Sequence, residues 1–170
     1  MKVRAVMHGA VSIVNAIATG NGSALGISLG VVAEAELSKG KGLRFLTGRN
    51  TDRLVNNVIK NVMPAGALER NQLTLRLQSE IPIGYGLKSS SAVSNAVALA
   101  CSRLVHEHVD DMAVLDAAVR ASLDAKVSIT GAYDDATACY FGGFVVTDNY
   151  GRRLVKREEA PENLHAVIFL

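Results

Sequence analysis

Apolar and polar residues alternate along Ile27–Ser38. Ile27, Leu29, Val31, Ala33, Ala35 and Leu37 interleave with Ser28, Gly30, Val32, Glu34, Glu36 and Ser38. A period of two predicts a long strand with one buried face, Val32 being the exception. The same period recurs at Leu73, Leu75 and Leu77 against Thr74, Arg76 and Gln78. Residues 2–17 are mostly apolar but interrupted at His8-Gly9, which reads as strand, turn, strand. Ala18-Thr19-Gly20-Asn21-Gly22-Ser23-Ala24 reads as a loop rich in turn formers, and Lys39-Gly40-Lys41-Gly42 as a turn into a short strand around Leu43–Leu46. Helical spacing takes over at Leu54, Val55, Val58, Ile59 and Val62, one stripe of a helix over 52–63 with Thr51 or Asp52 as its cap. Residues 90–106 are dense in Ala and Val and predict a helix suited to close packing. Asp110 or Asp111 caps the next helix, where Met112, Leu115, Val119 and Leu123 share a face. Gly142-Gly143 precede Phe144–Thr147, and Asp148-Asn149-Tyr150-Gly151 turns into Leu154-Val155-Lys156, a hairpin signature. Ala166–Leu170 reads as a final apolar strand. A strand-rich first half and a helix-rich second half predict the α+β class, with helices packed on one face of the sheet.

Composition narrows the setting. The 170 residues are 49% hydrophobic and 20% charged, which predicts one globular domain rather than a disordered chain. A net charge of +2 is too small to imply nucleic acid as the main partner, and the longest apolar runs fall far short of a membrane span. Met1-Lys2-Val3-Arg4-Ala5 enters a strand-like pattern without a signal-peptide core. Cys101 and Cys139 are expected as buried free thiols in a reducing cytoplasm rather than as a disulfide.

The candidate chemistry lies in two segments. The first is Ile81-Pro82-Ile83-Gly84-Tyr85-Gly86-Leu87-Lys88-Ser89-Ser90-Ser91-Ala92, between a strand pattern and a helix pattern. Its glycines allow close backbone approach, its three hydroxyls add donors, and the following helix aims its positive end at the same point; together these describe a phosphate cradle. Leu87 stands where a Walker A loop needs Gly, and Ser89 where a dinucleotide fingerprint needs its third Gly. The plainer alternative is a Gly/Ser turn capping a helix. The second segment is Thr130-Gly131-Ala132-Tyr133-Asp134-Asp135-Ala136-Thr137, with two adjacent carboxylates before a small-residue helix pattern. Here the plainer alternative is helix capping. His106-Glu107-His108 lacks the i,i+4 spacing of a helical zinc motif and reads as a polar helix terminus. His8 reads as a turn histidine, and Lys126 as either a surface charge or a phosphate contact.

The run from Pro82 to Ala92 resembles the Pro-x-x-x-Gly-Leu-x-Ser-Ser-x-Ala phosphate loop of the GHMP kinases, named for galacto-, homoserine, mevalonate and phosphomevalonate kinases. Lys88 departs from the usual Gly and adds a cation beside the phosphates. The resemblance implies that Pro82, Ile83, Gly84, Tyr85, Gly86, Leu87, Lys88, Ser89, Ser90, Ser91 and Ala92 bind ATP. The second segment resembles the Gly-x-Asp-Asn-Ala segment carrying the catalytic base of mevalonate kinase-like members, which puts Asp134 in the place of the base and Asp135 in that of the Asn. Asp124, ten residues before Asp134, matches the metal-binding carboxylate, with Ser90 as the expected hydroxyl ligand of Mg²⁺; a solvated helical Asp is the alternative.

With Asn15–Gly26 added, these strings look like those of the archaeal-type shikimate kinases, a GHMP branch. That likeness implies an α+β sheet layer related to a domain of ribosomal protein S5. It also implies ATP and shikimate as small-molecule ligands and formation of shikimate 3-phosphate, a step toward the aromatic amino acids. Homoserine or mevalonate kinase activity, and a non-enzymatic S5-like module binding RNA or protein, are the alternatives. The resemblance further implies that residues 1–160 are the N-terminal ATP-binding domain and 161–170 the start of a C-terminal GHMP domain. The chain is then expected to self-associate through the face that domain would cover.

Overall fold

A computed structural model of the chain describes residues 1–46 and 53–169. Strand β2 (Asn21–Lys39) is the spine of a six-stranded sheet. Strand β1 (Lys2–Val14) runs antiparallel along one of its edges, from Lys2 opposite Glu36 to Val14 opposite Ser23. The other edge is shared. Strand β4 (Asn71–Ser79) pairs with Val31–Lys39 and strand β5 (Phe144–Asp148) with Asn21–Leu25, both antiparallel. Strand β3 (Gly42–Phe45) adds in parallel outside β4, and β6 (Arg153–Glu158) closes a hairpin outside β5.

The helices lie on one face of this sheet, as the α+β pattern predicts. Helix α3 (Ser89–Val105) and α5 (Tyr133–Phe141) contact β1 and β2 directly, while α4 (Asp111–Asp124) packs on α3, α5 and α1 (Arg53–Val62). Helix α3 is covered both by the sheet and by helices, so every residue from Ser94 to Ser102 is buried. That explains its run of Ala, Ser and Cys: a helix enclosed on several sides has no room for large side chains. The expected buried face of β2 is observed, with Val31, Ala33 and Ala35 fully buried beneath the helices. Asp110 caps α4 by accepting the Met112 N–H at 2.9 Å. Cys101 and Cys139 are buried and unpaired, and burial pushes the Cys101 thiol up to about 12. No helix among the described residues is long and apolar enough to cross a membrane.

Four local expectations are corrected. His8-Gly9 is an irregularity within one continuous strand, not a turn, because the pairing jumps from His8 opposite Gly30 to Ala10 opposite Gly26. The loop expected over 18–24 is already strand from Asn21, since β1 and β5 pair with it on both edges. A short helix α2 (Ala67–Arg70) links α1 to β4 where no helix was expected. Residues 166–169 form no strand: among the described residues they find no backbone partner, and of the four only Ile168 packs against the core there. The caps expected at Thr51 or Asp52, and Leu170, lie outside the described residues.

Leu73 and Leu75 of β4 are fully buried in the main apolar cluster. Leu75→Ala is expected to lower the unfolding free energy by about 2–5 kcal/mol, read from urea denaturation with an unchanged m-value.

Candidate active site

The irregularity at His8–Ala10 seats the Gly-rich loop on the sheet. With the β1–β2 ladder interrupted, the Ala10 N–H donates to the Leu87 carbonyl at 3.2 Å. Leu87 is itself buried and pins the loop to the core. Gly84 and Gly86 both take positive φ, 89° and 76°, a region in which only glycine is comfortable. Lys88 also takes it, at φ 63° and ψ 32°, as the residue that starts α3. No side chain caps this helix and its first turn carries no acidic residue, so its leading N–H groups face the cleft uncommitted. They are available to an anion, and the helix dipole favours one.

The cleft in front of α3 has a volume of about 460 Å³. Nine of the eleven residues predicted to bind nucleotide line it: Pro82, Ile83, Gly84, Gly86, Leu87, Lys88, Ser89, Ser90 and Ser91. Tyr85 turns to solvent at the tip of the loop, and Ala92 is fully buried on the core face of α3. The opposite wall comes from Ser12, Asn15, Ala16 and Ile17, from Val127–Thr130, and from Ala132, Asp134 and Asp135.

Asp134 and Asp135 lie in the first turn of α5 but do not cap it; the cap position is Ala132, which has φ 50° and no capping side chain. The two carboxylates are held differently. Asp135 receives the Lys88 ammonium on Oδ2 at 3.1 Å and the Ser12 hydroxyl on Oδ1 at 3.2 Å. Lys88 thus ties the loop to α5, with its ammonium on a carboxylate rather than in open solvent. Burial raises the Asp135 pKa, the Asp134 charge pushes it the same way, and Lys88 and Ser12 oppose both. Asp134 is 4% exposed and is gripped by a neutral amide: Asn149 Nδ2 donates to its Oδ1 at 2.8 Å, and its own N–H donates to Asn149 Oδ1 at 3.2 Å. Its other oxygen lies over Gly22, where a Cβ would stand 2.5 Å from Oδ2. Only glycine leaves space for the carboxylate there.

Asp124 does not join this group. It is exposed at the end of α4 and is not part of the cleft wall. The residue of that helix end that does line the cleft is Ser122; at about 100° per residue, Asp124 lies about 200° around the helix from it. The expected pairing of Asp124 with Ser90 as metal ligands is therefore not assembled in this arrangement. Ser90 is exposed in the first turn of α3 and faces the cleft. His8, Lys126 and the His106–His108 segment lie outside the cleft wall, and no group of three or more His, Cys, Asp or Glu side chains that could hold a metal occurs among the described residues. Sequence reasoning missed Ser12, Gly22 and Asn149 as site residues. Gly22 belonged to the Asn15–Gly26 string, whereas Asn149 looked like any residue of the Asp148–Gly151 turn.

An uncapped helix N-terminus and a buried carboxylate thus open on one cleft of an α+β domain. The model of the GHMP kinases N terminal domain matches residues 53–143, and the chain belongs to that family. It is 41% identical over 162 residues to a shikimate kinase of Methanosarcina mazei, covering 92% of this chain and 54% of that protein. It is equally 41% identical over 170 residues to a shikimate kinase of Methanothrix thermoacetophila, covering 100% and 57%. The chain thus spans a little over half the length of these relatives. In structure it is similar to a homoserine kinase from Cytophaga hutchinsonii, with a TM-score of 0.74 at 20% identity over 91% of this chain and 51% of that one. A Lactococcus lactis galactokinase complexed with galactose also gives a TM-score of 0.74, at 16% identity over 90% and 46%. At those identities the likeness shows the fold.

Two stability measurements check this geometry. Lys88→Gly and Lys88→Ala both remove the Asp135 ion pair, but only glycine relieves the left-handed backbone. Lys88→Gly is expected to be about 1 kcal/mol more stable than Lys88→Ala in paired urea titrations; equal stabilities would mean that the backbone at 88 relaxes freely. The second concerns pH. A carboxyl whose folded-state pKa is raised contributes stability below its ordinary 3.8 and loses it as pH rises through the folded-state value. Asp135→Asn removes that loss. The difference in Tm, variant minus wild type, should therefore climb as pH rises from about 4 through the raised folded-state value of Asp135. A flat difference would show that the charge on Asp135 is not strained by the fold.

Proposed function

We propose that this domain binds ATP and transfers its γ-phosphoryl group to the 3-hydroxyl of shikimate. The observation that carries the reading is that the free N-terminus of α3 and the buried carboxylate of Asp134 open on one cleft. Shikimate as the acceptor is supported by relatives of that name, whose 41% identity runs through nearly the whole of this chain.

In this scheme the α3 N–H groups and the hydroxyls of Ser89, Ser90 and Ser91 cradle the nucleotide phosphates. The 3-hydroxyl oxygen of shikimate forms the new bond to the γ-phosphorus. The bond from that phosphorus to the β,γ-bridging oxygen breaks, and ADP leaves with its electron pair. Asp134 takes the hydroxyl proton. The donor set fits magnesium arriving with the nucleotide, because Ser90 offers a hydroxyl beside the phosphate cradle and the remaining ligands of such an ion are phosphate oxygens and water. Bound there, the ion would neutralise charge on the phosphates. Asp124 is outside the cleft wall and has no part in this scheme. Lys88 steadies Asp135 and is the one cation lining the cleft among the described residues.

A coupled assay of ADP formation, with shikimate, homoserine and mevalonate as acceptors, tests the reading. Turnover with shikimate alone is expected; turnover only with another alcohol would reassign the substrate. Asp134→Asn should lower kcat by about 10²–10⁴-fold while ATP binding survives, and Asp135→Asn should be milder. The reverse order would move the base to Asp135.

A further inference from the structure

Asn149 sits in the turn between β5 and β6, outside both segments the chemistry was read from, yet it is only 2% exposed and spends its hydrogen bonds on the site. Its Oδ1 accepts the Asp134 N–H at 3.2 Å and the Thr147 hydroxyl at 2.7 Å. Its Nδ2 donates to Asp134 Oδ1 at 2.8 Å and to the Thr130 hydroxyl at 3.3 Å. A backbone N–H can only donate, so the Asp134 N–H settles which end of the amide is oxygen and leaves the NH₂ group facing the carboxylate. One amide thus grips the main chain and the side chain of the same residue.

Asp135, next in sequence, makes the contrast. Both of its oxygens are engaged, one by an ammonium and one by a hydroxyl. Those two contacts leave Asp135 no uncommitted oxygen. Asn149 is neutral and engages one oxygen of Asp134 only. It occupies Oδ1 while Oδ2 lies over Gly22.

We propose that Asn149 is a positioning residue: it locks the Asp134 carboxylate through Oδ1, so that Oδ2 is the atom left to receive the acceptor's proton. The proposal rests on the reading of Asp134 as the base. It gives the two adjacent carboxylates of the cleft different surroundings and so different parts.

The test separates holding the fold from aiming the carboxylate. Asn149→Asp keeps an oxygen for the Asp134 N–H and for Thr147, but replaces the donor by a second carboxylate against Asp134, which raises the pKa of the pair. Asn149→Ala loses both contacts and adds no charge. With shikimate and ATP, kcat is expected to fall by about 10²-fold in both variants, with KM for ATP within about twofold of wild type, and the pH profile of kcat to move upward in Asn149→Asp alone. A merely structural Asn149 predicts instead that Asn149→Ala is less stable but keeps its kcat while folded. Either variant retaining kcat within about threefold would overturn the proposal. Should Asn149→Ala fail to fold, Thr147→Val removes one anchor of the amide and leaves Asp134 untouched; it is expected to lose several-fold in kcat at constant KM, and full activity would count against the proposal. A crystal structure of Asn149→Ala gives a readout without turnover. Asp134 in more than one rotamer supports positioning, and a single unchanged carboxylate refutes it. If the wild type forms no ADP with shikimate, the shikimate reading fails, while the crystal structure still decides what Asn149 does.

Discussion

The site depends on how closely two helices can lie on one strand. Helices α3 and α5 both rest on β2, and their N-termini must open on the same cleft. The contact is made by small residues: Ala24, Ala33 and Ala35 on the strand, Ala96 and Ala100 on α3, and Ala138 on α5 are all fully buried. At Gly26 a Cβ would stand 3.0 Å from the Gly142 Cα and 3.1 Å from the Ala138 carbonyl oxygen. Larger side chains along this seam would lift the helices, since close-packed interiors do not absorb added volume without moving something. The first thing to move would be the distance between the phosphate cradle and Asp134.

That packing also sets the electrostatics. Two carboxylates side by side in one helical turn repel one another, and the dipole of α5 relieves only part of the repulsion. The fold resolves it by giving each a different partner. Asp135 has an ammonium from the loop before α3, and Asp134 has a neutral amide from the β5–β6 turn. The ion pair draws its cation from a residue in a strained backbone conformation, Lys88 at φ 63°, and Ala132, which leads into Asp134, is similarly left-handed at φ 50°. Each such residue costs about 1–2 kcal/mol. Both lie on the wall of the cleft, while Lys126 at φ 58° and Arg152 at φ 48° take the same region away from it.

Much of this was legible in the residues. The alternation over Ile27–Leu37 and the capping Asp110 have direct counterparts in β2 and α4, because burial and capping act over a few neighbouring positions. The Gly-rich loop was legible for a similar reason: glycines, hydroxyls and a following helix are local features with a local consequence. The strand expected at 166–169 did not form, because an apolar run specifies a wish to be buried and not a partner to pair with. Asp124 lies outside the cleft wall: spacing along the chain says how far a carboxylate is from Asp134 in residues, and the rotation of α4 decides the direction it faces.

The sequence by itself determined most of the elements, the class of fold, the Gly-rich loop before α3 and the adjacent carboxylates, since each follows from periodicity, propensity or a short motif. Only the tertiary structure decided what each carboxylate touches. Asn149 reaches Asp134 because β5 pairs with the start of β2, Lys88 reaches Asp135 because α3 and α5 lie side by side, and Gly22 makes room because β2 runs beneath both. Those contacts join residues far apart in the chain, and their geometry is set by packing, which no local pattern encodes.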